Sequence, residues 1–165
     1  MRNVFFSFHF QNDFWRTQQV RQMGNLLGQP LCRPNEWEEV KRKGDASIER
    51  WIDESLDRKT CVIVLVGSET SERKWVRREI EKGWNAGKGV LGIRIHQLLD
   101  QNSTASAAGA NPFESFTFGA QKRNLASIVP LVSPSGFDSK QVYASIRDGI
   151  EDWIEQAISV RASVR

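Results

Sequence analysis

Two periods of hydrophobic patterning alternate along the chain. Residues 4–10 form a short run of β-branched and aromatic residues and predict a strand over residues 3–9. Asn12 and Asp13 follow as candidate helix caps. Phe14, Val20, Met23 and Leu27 recur at mostly helical spacing and predict an amphipathic helix that ends near Gly28 and Pro30. A short edge strand is expected around residues 31–33, and the charged residues 37–44 read as a loop or loose helix. Asp45 then looks like the N-cap of a helix carrying Ile48, Trp51, Ile52 and Leu56. Residues 61–66 are continuously apolar and end at Gly67. Continuous rather than alternating hydrophobicity predicts a strand covered on both faces, as in the centre of a parallel sheet. Trp75, Val76, Ile80 and Trp84 mark the next helix, stopped by Gly87 and Gly89. Strands are expected over residues 90–95 and 128–132, separated by a long segment rich in Asn, Ser, Ala and Gly. The last helix runs from Phe137 through Val142, Ile146, Ile150, Trp153, Ile154 and Ile158.

This alternation predicts an α/β fold, a mostly parallel sheet of about five strands with helices on both faces. Residues 1–165 read as a single domain with a loop insertion near residues 97–126. Ligands of such sheets bind beyond the carboxyl ends of the strands. Those ends are predicted at residues 7–10, 67–70 and 95–97.

Composition narrows the function without naming it. With 39% hydrophobic and 26% charged residues the chain is an ordinary folded domain, which excludes global disorder. A net charge of +3, from 23 basic and 20 acidic residues, is too balanced to call for nucleic acid as a partner. No apolar run approaches the roughly 20 residues of a membrane span. Two cysteines, Cys32 and Cys61, make neither a disulfide framework nor a zinc site, and a reducing cytoplasm is the expected location. Two histidines, His9 and His96, are too few for an expected metal centre. Six Trp and nine Phe against one Tyr predict a heavy core and a surface suited to stacking.

Several familiar chemistries are missing. The chain has no GxxxxGK[ST] phosphate loop, no GxGxxG after the first strand and no GxSxG. A phospho-accepting receiver would end its central strand on Asp, whereas this strand ends Val66-Gly67-Ser68. One acid is oddly placed. Glu79 lies four residues from Trp75 and three from Val76, so it shares the apolar side of its helix. A carboxylate beside an indole in a partly dry cleft suits a cationic, oxocarbenium-like transition state, as in cleavage of a bond to a sugar carbon. Pattern alone leaves a plainer alternative open, with Glu79 paired to Lys82 or a neighbouring Arg on a solvated face. His9 shares a strand face with Ser7 and is placed either to bond a ligand or to serve structure. Arg73, Lys74, Arg77 and Arg78 form a basic cluster, a solvated face or a steering field for an anionic dinucleotide.

Residues 4–10 with Asp13 resemble the opening box of Toll/interleukin-1 receptor (TIR) domains. Residues 61–71, followed by Lys74-Trp75-Val76-Arg77-Arg78-Glu79-Ile80, resemble their third strand and the helix after it. There, a Trp four residues before a Glu marks the NAD-cleaving acid; the Cys that commonly follows that Trp is Val76 here. Phe5-Phe6-Ser7-Phe8-His9, Gly44-Asp45, Val66-Gly67-Ser68-Glu69-Thr70-Ser71, Ile95-His96 and Asn111-Pro112-Phe113, in this order, are more closely similar to the bacterial TIR-like family of Thoeris anti-phage sensors.

The resemblance implies a flavodoxin-like sheet and an enzyme that takes NAD+ as substrate. It implies release of nicotinamide and a product, an ADP-ribose-derived and cyclic messenger, that activates a separate effector. Glu79 would be the catalytic acid residue, with Trp75 walling the cleft. Ser7, Phe8, His9, Asp45 and Ser68 would contact the dinucleotide, Phe8 by stacking on a base. The stretch 37–45 would cover the site. It further implies activity triggered by phage infection, a homo-oligomer that completes the cleft, no metal, and no membrane or nucleic-acid partner. Two other readings stay open: a non-catalytic TIR interaction scaffold, and a nucleoside deoxyribosyltransferase-like enzyme.

Overall fold

The computed structural model describes residues 2–23, 26–28 and 34–164. All six residues of the strand Cys61–Val66 (β3) are buried, because helices cover both of its faces. On one side it pairs in parallel with Arg2–Phe8 (β1), and on the other with Gly89–Arg94 (β4). Leu26–Gly28 (β2) flanks β1 and Leu131–Val132 (β7) flanks β4, so the five-stranded sheet has the order β2-β1-β3-β4-β7, parallel throughout.

Alternation along β3 divides the core into two layers. Cys61, Ile63 and Leu65 pack with Val4 and Phe6 against Phe10–Arg21 (α1) and Ser139–Ala162 (α5). Val62, Val64 and Val66 pack with Phe5 against Asp45–Leu56 (α3) and Lys74–Asn85 (α4). Trp37 and Val40 of Pro34–Arg42 (α2) join this second layer. On β1, Ser7 follows Phe5 by two residues and so faces the α4 side, fully buried.

Several local expectations shift. The first helix stops at Arg21, and Leu27 lies on β2, half exposed, opposite Asn3; its helical spacing from Met23 is coincidental. The edge strand expected at residues 31–33 lies outside the described residues. The charged stretch after it forms α2, because Trp37 and Val40, three residues apart, share the buried side of a helix. Gly44, at φ +92°, takes the N-cap position of α3; Asp45 is the first helical residue, and its carboxylate bonds Lys74 instead (2.7 Å). Asp13 does not cap α1 either. It is buried and accepts from Arg16 Nη1 at 2.7 Å.

Residues 97–126 are ordered by specific contacts. Arg16 donates from Nε to the Leu98 carbonyl (2.7 Å) and from Nη2 to that of Thr104 (2.8 Å), which ties the start of the segment to α1. The Asn111 side chain caps a helical turn, Pro112–Ser115, whose Phe113 is fully buried. Thr117–Phe118 (β5) and Arg123–Asn124 (β6) then form a two-stranded antiparallel hairpin. A Cβ on Gly109 would collide with the Gly67 carbonyl, and one on Gly67 with the Asp13 carboxylate. These two glycines let the segment, the turn after β3 and α1 meet at close range. No helix among the described residues is long and apolar enough to cross a membrane.

Candidate functional site

The sheet order reverses direction between β1 and β3. Chain connections leave these two strands for opposite faces, and a crevice opens beyond their carboxyl ends. A cavity of about 430 Å³ occupies that place, within the range of about 300–1,000 Å³ usual for small-molecule sites. β1 and the start of α1 supply Phe6, Phe8, His9 and Phe10; α2 supplies Trp37 and Lys41, and α3 supplies Trp51. The residues from Glu72 to Val76 and then Glu79 close the opposite wall.

Glu79 is 7% exposed. It sits one turn beyond Trp75 on the side of α4 that also buries Val76, Ile80 and Gly83. Burial pushes its carboxyl well above the usual glutamate range. The nearby Ser7 hydroxyl opposes that rise, although Ser7 Oγ has no partner at hydrogen-bond geometry among the described residues. The plainer reading of Glu79 as a solvated ion-pair member does not hold. Lys82 instead bonds Glu49 and Asp53, each at 2.6 Å, and Arg78 bonds Glu49 at 2.8 Å.

His9 is 6% exposed, and desolvation, reinforced by Arg73 and opposed by Glu69, lowers its pKa below the usual 6.5. Its Nδ1 lies 3.9 Å from Glu69 Oε2. The wall facing Glu79 is a chain of rings. Phe8 and Phe10 stack at 5.9 Å, Phe10 and Trp37 at 5.7 Å, and Trp37 meets Trp51 at 5.6 Å. Lys41, Arg73 and Lys74 line the cavity beside the acid Glu72; Lys41 pairs with Glu38 (3.2 Å) and Lys74 with Asp45 (2.7 Å), and Lys74 Nζ stands 4.7 Å from the Trp75 ring centre.

Of the residues singled out from sequence, Glu79, Trp75, Phe8 and His9 meet around this cavity. Ser7 lies just behind it. Asp45 sits outside and reaches the rim only through Lys74. Ser68 is in the turn after β3, where its carbonyl faces Gly109. The pattern sets Trp51 in the core, Trp37 in a charged loop or loose helix over the site and Phe10 at the end of the first strand, and it singles out none of the three as a site residue. The unusual aromatic count was the signal that a stacking surface existed. Among the described residues no group of three or more His, Cys, Asp or Glu is placed to hold a metal ion.

A parallel flavodoxin-like sheet with a buried glutamate and a tryptophan one turn before it, at the switch between β1 and β3, defines a TIR-like domain. A family model described as "Thoeris protein ThsB, TIR-like domain" matches residues 5–100, more than half of the chain. The chain belongs to this ThsB family of TIR-like domains. It is 32% identical over 123 residues to a Bacillus cereus (strain MSX-D12) protein named "Putative cyclic ADP-D-ribose synthase ThsB1"; the match covers 68% of this chain and 62% of that protein. The chain therefore spans less than two thirds of that relative's length.

Proposed function

We propose that this domain cleaves NAD+ at the bond between ribose and nicotinamide and converts the remainder into an ADP-ribose-derived, cyclic signalling nucleotide. The observation that carries the reading is Glu79, a buried carboxylate in a cavity that Trp75, Phe8, Phe10, Trp37 and Trp51 also line. In this reading Glu79 holds the hydroxyls of the nicotinamide ribose and stabilises the cationic centre as nicotinamide leaves with the bonding electron pair. An ionised Glu79 is unfavourable in the empty site. The positively charged nicotinamide ring offsets that penalty, so charge on Glu79 and substrate are coupled. Trp75 walls the reacting ribose. Arg73 and Lys41 at the rim meet the diphosphate, and the Phe8–Phe10–Trp37 rings offer faces on which a base stacks. Ser7 supports Glu79 from behind. The name of the Bacillus relative supports the cyclic product. The messenger would activate a separate effector protein within the cytoplasm in response to phage, with a second copy of the chain completing the cleft.

Mass spectrometry of small molecules from cells expressing the chain, with and without phage, tests this reading. Falling NAD+ and a new ADP-ribose-related species, both lost in Glu79→Gln, are expected. Unchanged nucleotides in infected cells that the chain still protects would instead favour an interaction scaffold.

A further inference from the structure

His9 does more than line the cavity. It stands at the N-cap position of α1, yet its side chain makes no capping hydrogen bond. The nearly buried ring lines the cavity that Glu79 also lines. Its Nδ1 is buried, has no hydrogen-bond partner among the described residues, and lies 3.9 Å from Glu69 Oε2. An unpaired buried ring nitrogen is unfavourable, so its retention calls for a physical reason. Glu69 is itself anchored, because Asn12 Nδ2 donates to the same Oε2 at 2.9 Å. The Asn12 amide and His9 Nδ1 thus approach one and the same carboxylate oxygen. A carboxylate 3.9 Å from Nδ1 favours the proton on that nitrogen, which leaves Nε2 as the unprotonated, accepting one. Catalytic hydrogen bonds of this type are often long before substrate binds. Burial and Arg73 keep the ring neutral near pH 7, the state a base requires.

We propose that His9, oriented by Glu69, is the general base of this site and takes the proton from the oxygen nucleophile that captures the ribosyl carbon. The inference rests on the reading of the cavity as a NAD+-cleaving centre. The bond from ribose C1′ to the nicotinamide nitrogen breaks, and its electron pair leaves with nicotinamide. An oxygen of water, or of a substrate hydroxyl in ring closure, bonds to C1′. The proton of that oxygen passes to His9 Nε2 and then to solvent, so no further reactant is needed. Glu79 and His9 divide the work: the carboxylate meets the cation and the imidazole meets the nucleophile.

The chain has only two histidines, His9 and His96. Nitrogen NMR of the imidazole rings therefore resolves His9 once a His96→Gln variant assigns the other. At about pH 7.5 the expected His9 tautomer carries its proton on Nδ1, and Glu69→Gln should move it to Nε2. In extracts of phage-infected cells, His9→Ala should lower nicotinamide release from NAD+ by about 10²-fold or more, with KM changed less than about threefold. Added imidazole should recover about tenfold of that loss. Should His9→Ala not fold, Glu69→Gln, altered at a half-exposed side chain, carries the test, with kcat expected about tenfold lower at unchanged KM. An Nε2–H tautomer in the wild-type chain, a His9→Ala chain at the wild-type rate, a loss that imidazole does not restore, or a Glu69→Gln chain with wild-type kcat each overturns the base assignment. Wild-type extracts that release no nicotinamide overturn the reading of the site itself, which is a different failure.

Discussion

Burying a carboxylate with no cation beside it opposes folding, and Glu79, 7% exposed, has no ion-pair partner among the described residues. Its raised pKa turns this into a pH-dependent stability. Between the ordinary glutamate value of 4.5 and the raised folded value, the native state binds the proton more tightly than the unfolded chain. Stability therefore falls as pH rises through that window. Glu79→Gln removes the titration and is expected to melt higher than wild type at pH 7, with the difference shrinking as pH falls to about 4.5. Thermal melts at several pH values check this, and a Gln variant that melts lower at pH 7 would contradict it. The position of Glu79 was legible in the sequence because its spacing from Trp75 and Val76 set it on the apolar side of a helix. Its lack of a partner was not. Lys82, three residues on, offered one, and only the packing of α3 on α4 assigns Lys82 to Glu49 and Asp53.

At the scale of elements, local pattern placed β3 and α4 well because their signals are local: an unbroken apolar run and a helical stripe. It failed where long-range contacts decide. Asp13 looked like a cap, but Arg16 holds it in a buried pair (2.7 Å) while also reaching carbonyls at residues 98 and 104. The pair itself spans one helix turn, but nothing near it announces the two distant carbonyls that draw Arg16 and Asp13 into the interior. The long segment 97–126 read as a loop for the same reason, since its order comes from Arg16, the buried Phe113 and the close approach of Gly109 to Gly67. Arg16 is 3% exposed, so Arg16→Met leaves Asp13 buried and unpaired. A loss of about 3–5 kcal/mol is expected for such a break, read by urea unfolding. A loss below about 1 kcal/mol would mean that the clamp is not structural. The turn after β3, which leads into Glu72 and Arg73 at the cavity, rests against this clamped segment.

Taken whole, the molecule places its chemistry by topology. The order β2-β1-β3-β4-β7 puts the switch between β1 and β3, and both strands deliver their carboxyl ends to one crevice. The fold class was readable from the alternation of strands and helices, and the crevice follows from it. The walls of the crevice were less readable, because α3 brings Trp51 from a position that looks like ordinary core and α2 brings Trp37 from a stretch that looks like a charged loop. The central proposal is that the buried carboxylate in this crevice drives cleavage of the bond between ribose and nicotinamide. The most direct measurement is the rate of nicotinamide release from added NAD+ in extracts of phage-infected cells carrying wild-type chain or Glu79→Gln at equal abundance. Release by the wild-type chain is expected, with a rate lower by about 10²-fold or more in the variant, although the variant is expected to be the more stable protein. Equal rates in the two extracts would contradict it.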